Sequence, residues 1–290
     1  MRARRFRPLV AAALALPLLL TACGGDDDAP TQVESNTNFA AGTTMAKLSE
    51  AKSVKIGVKF DQPGLGYKKP GTDTPEGFDI EIAKIVAAKL GIQPDQVEWV
   101  ETVSKNREPF LQNGTVDMVV ASYSITDERR KTVGQAGPYY VTGQQLLVRK
   151  DDSSITGPDA LTGKKVCSVT GSTSIKTVQE KYGAAPVPFA TYTECVQQLL
   201  NNSVDAVTTD GSILLGYAAQ QPDKLKVVGE PFSEERYGIG FKKDDSAFCT
   251  FLSDTLNGAF GDGAWQKAYE DTLGKGGGET PAKPALDSCS

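Results

Sequence analysis

The chain has 290 residues, 31 Lys plus Arg against 36 Asp plus Glu, a formal charge of −5 and no histidine. The missing histidine rules out Ser-His-Asp and Cys-His nucleophilic machinery and histidine metal sites; paired carboxylates remain open for acid–base chemistry. The acidic balance argues against nucleic acid as a partner, and no basic tract argues for it.

The N-terminus reads as a targeting segment. MRARRFRPLV carries four arginines, and the apolar run 10–20 that follows is too short for a comfortable membrane span. Leu20-Thr21-Ala22-Cys23 resembles the lipobox of bacterial lipoproteins. That resemblance implies cleavage before Cys23, a thioether-linked diacylglycerol on its sulfur and an acylated amine. Residues 24–44 are mostly Gly, Asp, Ser, Thr and Asn and read as part of a flexible tether, 23–49, off a membrane surface. Without residues 1–22 the chain keeps 268 residues and loses four arginines, so its charge becomes −9. That length suits one or two domains and a substantial core.

Cysteine usage agrees with export. Beside Cys23 there are Cys167, Cys195, Cys249 and Cys289, with no CxxC spacing. In an oxidising compartment disulfides are favoured over metal ligands, and four cysteines allow three pairings. Cys167 lies in a strand-like run and Cys195 in the next element but one, which favours Cys167–Cys195. Cys249–Cys289 then pins the tail.

Strand and helix signals alternate from residue 54. VKIGVKF is a strand, and 61–77 is too rich in Gly and Pro for regular structure. Residues 78–91 place Ile82, Ile85, Val86 and Leu90 on one helical face, with Asp79 near the start and Gly91 at the stop. VEWVET is a strand, 107–113 a short helix and VDMVVAS a strand. The run 144–150 is a strand leaving this unit. A second unit follows: strand 164–170, helix 171–183, strand PVPFAT, helix YTECVQQLLNNS, strand DAVTTD, helix GSILLGYAAQ and strand KLKVVG. Helices between strands predict parallel sheets covered on both faces.

RYGIGFKKDD, 236–245, echoes QQLLVRKDD, 144–152, and both read as antiparallel crossings between lobes. The expected fold is α/β and two-lobed. Lobe one is 50–145 plus 239–275, lobe two 146–238, and 276–290 an irregular tail. Such an arrangement sets a cleft at strand C-termini, where open α/β sheets bind ligands.

The segments IGVKFDQPGLGYK, GFDIEIAKIVAAKLG, NREPFLQNGTVDMVVASYSITDERRK, GPYYVTGQQLLVRK, VTGSTS and DAVTTD occur in an order similar to that of the extracellular amino-acid-binding proteins of ABC importers, solute-binding protein family 3. The similarity covers roughly 50–274 and looks greatest to the glutamate-binding lipoproteins of actinobacteria. It implies a type II periplasmic-binding-protein-like fold with two crossover strands as hinge, no cofactor and no metal. It also implies site roles. Arg129 grips the ligand α-carboxylate with paired N–H donors, which a lysine could not reproduce. Ser122, through its carbonyl, and Ser124 help hold the ammonium. Ser172 and Thr173, at a helix N-terminus, add to the carboxylate grip. Asp210 meets the ammonium, although it also fits a helix N-cap. Arg130 has no matching role and is expected to be solvated.

Lys59 and Arg107 carry the side-chain specificity in this reading. Solvation of Lys59, and a cap or ion pair of Arg107 with Glu101 or Glu108, are the plain alternatives. Together they supply two cations for a distal carboxylate. Lys59, Arg107, Arg129 and Asp210 sum to +2, which suits glutamate. Glutamine leaves desolvated charge short of partners, at about 2–4 kcal/mol or ~30–1000-fold. Phe60, Tyr67 and Tyr123 are candidates for packing on the ligand chain, and Gln62 for covering it.

The expected function is a lipid-anchored monomer on the extracellular face that captures glutamate, with aspartate as a second ligand, and delivers it to an importer permease. Ligand bound on lobe one drives closure of lobe two by contacts made in only one form. A sensory binding module is the alternative. A dehydratase is a lesser one, with Asp61 and Glu101 as unassigned acids.

Overall fold

The computed structural model describes residues 32–35, 37–276 and 280–289. The expected signal peptide and lipidated Cys23 lie outside these residues. The tether expected to reach residue 49 is not free along its described part. The Glu34 amide donates to the Ala88 carbonyl at 3.0 Å, and its carboxylate pairs with Lys89 at 2.9 Å. Thr43 then caps helix α1 (Thr44–Ala51), which buries Met45 and Leu48. Those two apolar residues lie three apart, on one helical face, and dock the segment.

The chain continues through β1 (Val54–Val58), β2 (Asp61–Gln62), β3 (Gly66–Tyr67), α2 (Phe78–Lys89), β4 (Val97–Glu101), α3 (Arg107–Asn113), β5 (Met118–Val119), α4 (Asp127–Arg130) and β6 (Gly134–Thr142). Next come β7 (Gln144–Arg149), β8 (Lys165–Val169), α5 (Thr173–Lys181), β9 (Ala185–Phe189), α6 (Tyr192–Leu200), β10 (Ala206–Asp210), α7 (Gly211–Gln220) and β11 (Leu225–Val228). The last regular elements are β12 (Glu235–Phe241), α8 (Ser246–Asp262) and α9 (Ala264–Glu270).

Two five-stranded sheets result, in the orders β4-β1-β5-β12-β6 and β11-β7-β10-β8-β9. Pairs joined by helical crossovers are parallel, such as β1 with β4 and β8 with β9. The sheets are nonetheless mixed, contrary to the parallel expectation. β12 runs antiparallel to β5 and β6, and β7 antiparallel to β10 and β11. A strand that enters a sheet without a covering helix is free to pair antiparallel. β6 was not expected from its Gly, Pro and Tyr content; its pairing with β12 overrides that weak propensity.

The chain passes from the first sheet to the second at Gly143 and returns through 229–234. β7 thus lies wholly in the second sheet and β12, from Glu235, in the first. The segment 61–77 also holds more order than expected, since β2 and β3 pair as a short hairpin.

Beside the passage the first sheet is packed with aromatic rings. Phe78 meets Trp265 and Tyr269 edge-on, and the Trp265 indole donates to the Tyr139 carbonyl at 2.7 Å. Phe78 and Trp265 are fully buried, each stabilising the fold by roughly 1.5–3 kcal/mol or more. Cys167 bonds Cys195 with Cα atoms 5.5 Å apart, and Cys249 bonds Cys289 at 5.8 Å, in the pairing expected. Arg130 is not solvated as expected: its guanidinium donates to Asp287 of the tail at 2.7 Å, and Arg236 donates to the other oxygen of that carboxylate. No helix among the described residues is long and apolar enough to cross a membrane.

Candidate ligand-binding site

The polar ends of both sheets face a common cavity, lined by Ser104, Arg107, Ser122, Ser124 and Arg129 from the first half and by Ser172, Thr173, Tyr192 and Asp210 from the second. β5 ends at Val119, and Ser122 then adopts a left-handed φ of 45°. That turn is held by Asp79, whose Oδ2 accepts the Ser122 amide at 2.7 Å. Asp79 also accepts the Tyr139 hydroxyl at 2.7 Å. Thr126 caps α4, so Arg129 sits one turn into it.

Arg129 donates from Nη1 to the Ser124 carbonyl at 2.6 Å and from Nη2 to the Gly171 carbonyl at 3.1 Å; its Nε faces Glu108 at 3.2 Å. Arg107 donates from Nε to Ser104 O at 3.2 Å, from Nη1 to the Ala121 and Ser122 carbonyls at 3.2 and 3.1 Å, and from Nη2 to Gly171 O at 3.2 Å. Both guanidinium carbons lie over the Tyr123 ring, 4.5 Å and 4.8 Å from its centroid, a favourable cation–π placement. Gly171, at the end of β8, thus takes one donor from each arginine. A Cβ there would meet the Lys105 Cα at 2.8 Å, and its φ is +85°. The close approach of the two halves depends on this glycine.

Lys59 is 4 % exposed and donates to Ser104 Oγ at 2.8 Å. It lies behind Ser104 and is not among the lining residues. Burial above all, with Arg107 beside it, lowers its amine to about 7. Arg107 is lowered to about 10 by burial and then by Arg129, so it stays charged at neutral pH.

Asp210 stands across the cavity at the end of β10. Its Oδ2 accepts the Tyr237 hydroxyl at 2.5 Å, while Oδ1 is buried with no partner among the described residues. It occupies the N-cap position of α7 but makes no side-chain cap bond, so the capping alternative is not used. Burial, then the Glu235 carboxylate, raise it to about 7. Leaving such an acceptor unmatched costs on the order of 1–3 kcal/mol or more, which a cationic partner would recover.

The helix α5 site differs in detail from expectation. The Ser172 hydroxyl accepts the Ile175 amide at 3.2 Å as an N-cap, and the Thr173 hydroxyl donates to Glu235 at 3.0 Å. Both hydroxyls are committed. The first-turn amides of Thr173 and Ser174, which lack intrahelical acceptors, are what remain for an anion. Likewise the Ser122 and Ser124 carbonyls are already taken by the two arginines.

The +2 charge count does not survive. Asp79, Glu108 and Glu235 join Asp210 within one or two bonds of the cavity, four acids against three cations. Phe60, Tyr67 and Tyr123 do not line it; Tyr123 is fully buried beneath the arginines. Gln62, read as a cover for the ligand, lines it, and Ser104, Tyr192 and Thr209 line it without having been read as site residues. Asp79 had a legible signal: it precedes Ile82 and Val86 by three and seven residues, on the buried helical face. Of the unassigned acids, Glu101 is exposed at the end of β4 and Asp61 accepts the Tyr192 amide at 2.8 Å.

Two mixed α/β sheets, joined by two short passages and facing each other across a polar cleft, define a two-lobed type II binding fold. Residues 54–275 match the profile of the bacterial extracellular solute-binding proteins, family 3, and the chain belongs to that family. It is 38% identical over 282 residues to the glutamate-binding protein GluB of Corynebacterium efficiens, covering 93% of this chain and 91% of that one. It is 35% identical over 255 residues to the ABC transporter glutamine-binding protein GlnH of Bacillus subtilis, covering 87% and 91%. The structure of an ancestral arginine-binding protein bound to glutamine matches with a TM-score of 0.72 at 36% identity, over 77% of this chain and 98% of that one. The chain is an amino-acid solute-binding protein, as these relatives are, and not an enzyme.

Proposed function

We propose that the chain captures L-glutamate, with aspartate as a second ligand, and passes it to the permease of an ABC importer. In this reading Arg129 and the first-turn amides of α5 hold the α-carboxylate, Asp210 the α-ammonium, and Lys59 with Ser104 the distal carboxylate. The observation that carries it is the unmatched Oδ1 of Asp210 facing a cavity that also holds two arginines. That pairing of one bare anion with fixed cations suits a zwitterion. The halves built on the two sheets, 54–142 with 235–275 and 144–228, act as the two lobes of the clamp. A diacylglycerol on Cys23 holds the monomer to the outer face of the membrane, where two or three chains anchor firmly.

A glutamine-binding reading has one observation in its favour. The hydrogen bonds that Arg107 donates go to backbone carbonyls, which leaves Lys59 as the cation for a distal acid. Titration calorimetry with glutamate, aspartate and glutamine separates the two. Glutamate binds most tightly under this proposal, and Arg129→Ala removes the heat for all three. Glutamine binding as tightly as glutamate would overturn the choice of ligand.

A further inference from the structure

The hairpin β2–β3 belongs to the first half yet reaches into the second. Its turn is fixed on α2: the Phe78 amide donates to Gly64 O at 2.9 Å, and the Asp79 amide to Leu65 O at 3.0 Å. Leu65 between them is fully buried. Its first strand meets two helices of the other half. Asp61 Oδ2 accepts the Tyr192 amide at the first position of α6, and the Tyr217 hydroxyl of α7 donates to the Asp61 carbonyl. Thr193 Oγ1 lies 3.1 Å from that same hydroxyl. A Cβ on Gly216 would meet the Pro63 carbonyl oxygen at 2.3 Å. α7 can therefore lie against the hairpin only because residue 216 has no side chain.

The next residue turns the other way. Gln62 lines the cavity and its Oε1 accepts the Ser122 hydroxyl, while Tyr192, whose amide Asp61 holds, lines the cavity from the opposite side. We propose that Asp61 is a positioning residue that latches the two halves together, with Gln62 beside it joining the latch to the cavity wall. The bond is charge-assisted, and an acid at the start of α6 is also favoured by the helix dipole. Its contribution belongs to the joined form alone. It slows release of whichever amino acid is bound and does not choose among them. The inference rests on reading the cavity as a clamp that opens and closes, but not on glutamate being the ligand.

The test uses Asp61→Ala, Asp61→Asn and Gly216→Ala. Each is followed by stopped-flow release of glutamate and glutamine, and by spin-label distances between Gln112→Cys and Gln179→Cys without added amino acid. Asp61→Ala is expected to raise the release rate of both amino acids by the same factor, about tenfold, with association little changed. Asp61→Asn, which keeps an acceptor but not the charge, recovers part of the effect. Gly216→Ala mimics Asp61→Ala from the other side of the contact. Both Asp61→Ala and Gly216→Ala shift the label distances to longer values. An unchanged release rate with unchanged distances overturns the latch, and so does a loss confined to one amino acid, which would mark Asp61 as a specificity residue. If glutamate fails to bind but glutamine does, only the ligand assignment falls. If neither binds, the distance measurement alone decides.

Discussion

The Tyr237 hydroxyl satisfies one oxygen of Asp210 and leaves the other bare, so a strand of the first sheet holds the key anion of the second. Tyr237→Phe removes the donor that lowers the Asp210 carboxyl, which then rises further above about 7. Glutamine affinity, which does not depend on Lys59, should fall several-fold at pH 7 and recover toward pH 8.5. Calorimetry across that range checks it; a uniform loss at every pH would mean that Tyr237 serves only packing.

Asp210 and Lys59 predict different pH profiles for two ligands. An ammonium binds the carboxylate form of Asp210, so affinity for any amino acid falls as pH drops below about 7, by up to ~10-fold per unit. A distal carboxylate binds the cationic form of Lys59, which is lost as pH rises above about 7. Glutamate affinity should therefore peak near pH 7, while glutamine affinity rises to a plateau. Identical profiles would remove Lys59 from the ligand's reach.

Lys59 and Arg107 should separate on substitution. Lys59→Met leaves the backbone network intact and should weaken glutamate by ~30-fold or more while sparing glutamine. Arg107→Ala strips donors from Ser104, Ala121, Ser122 and Gly171 at once. It should weaken both ligands equally and lower fold stability by about 3–5 kcal/mol. Parallel urea melts and calorimetry distinguish the two patterns.

Gly171→Ala should cost the chain its affinity without unfolding it. The added carbon meets Lys105 across the cavity mouth at 2.8 Å in a left-handed backbone. Binding of every amino acid should fall by at least tenfold, and each half should keep its own core. Unchanged affinity in calorimetry would show that the halves need not approach this closely.

Much of the architecture was legible because periodicity reports local burial. The alternation from β1 to β11 and the helix start at Ser172 follow from side-chain type and spacing. Strand direction was not legible, because β7 and β12 pair by how the chain returns rather than by what they contain. The site was legible as a set of residues but not as a set of bonds. Arg107 binds carbonyls that exist as a cradle only because Asp79 holds Ser122 left-handed, a contact 43 residues apart. Glu108 and Glu235 reach the cavity for the same reason, through tertiary approach that no spacing announces. Helix α1 escaped notice inside a polar stretch, since its docking surface lies on α8, with Thr37 Oγ1 2.6 Å from Ser49 Oγ.

Both cross-links described above stay within one side of the molecule: Cys167–Cys195 ties β8 to α6, and Cys249–Cys289 ties α8 to the tail. Neither rivets one side to the other. Disulfide formation can thus harden each jaw while leaving the passages between them without a covalent brace.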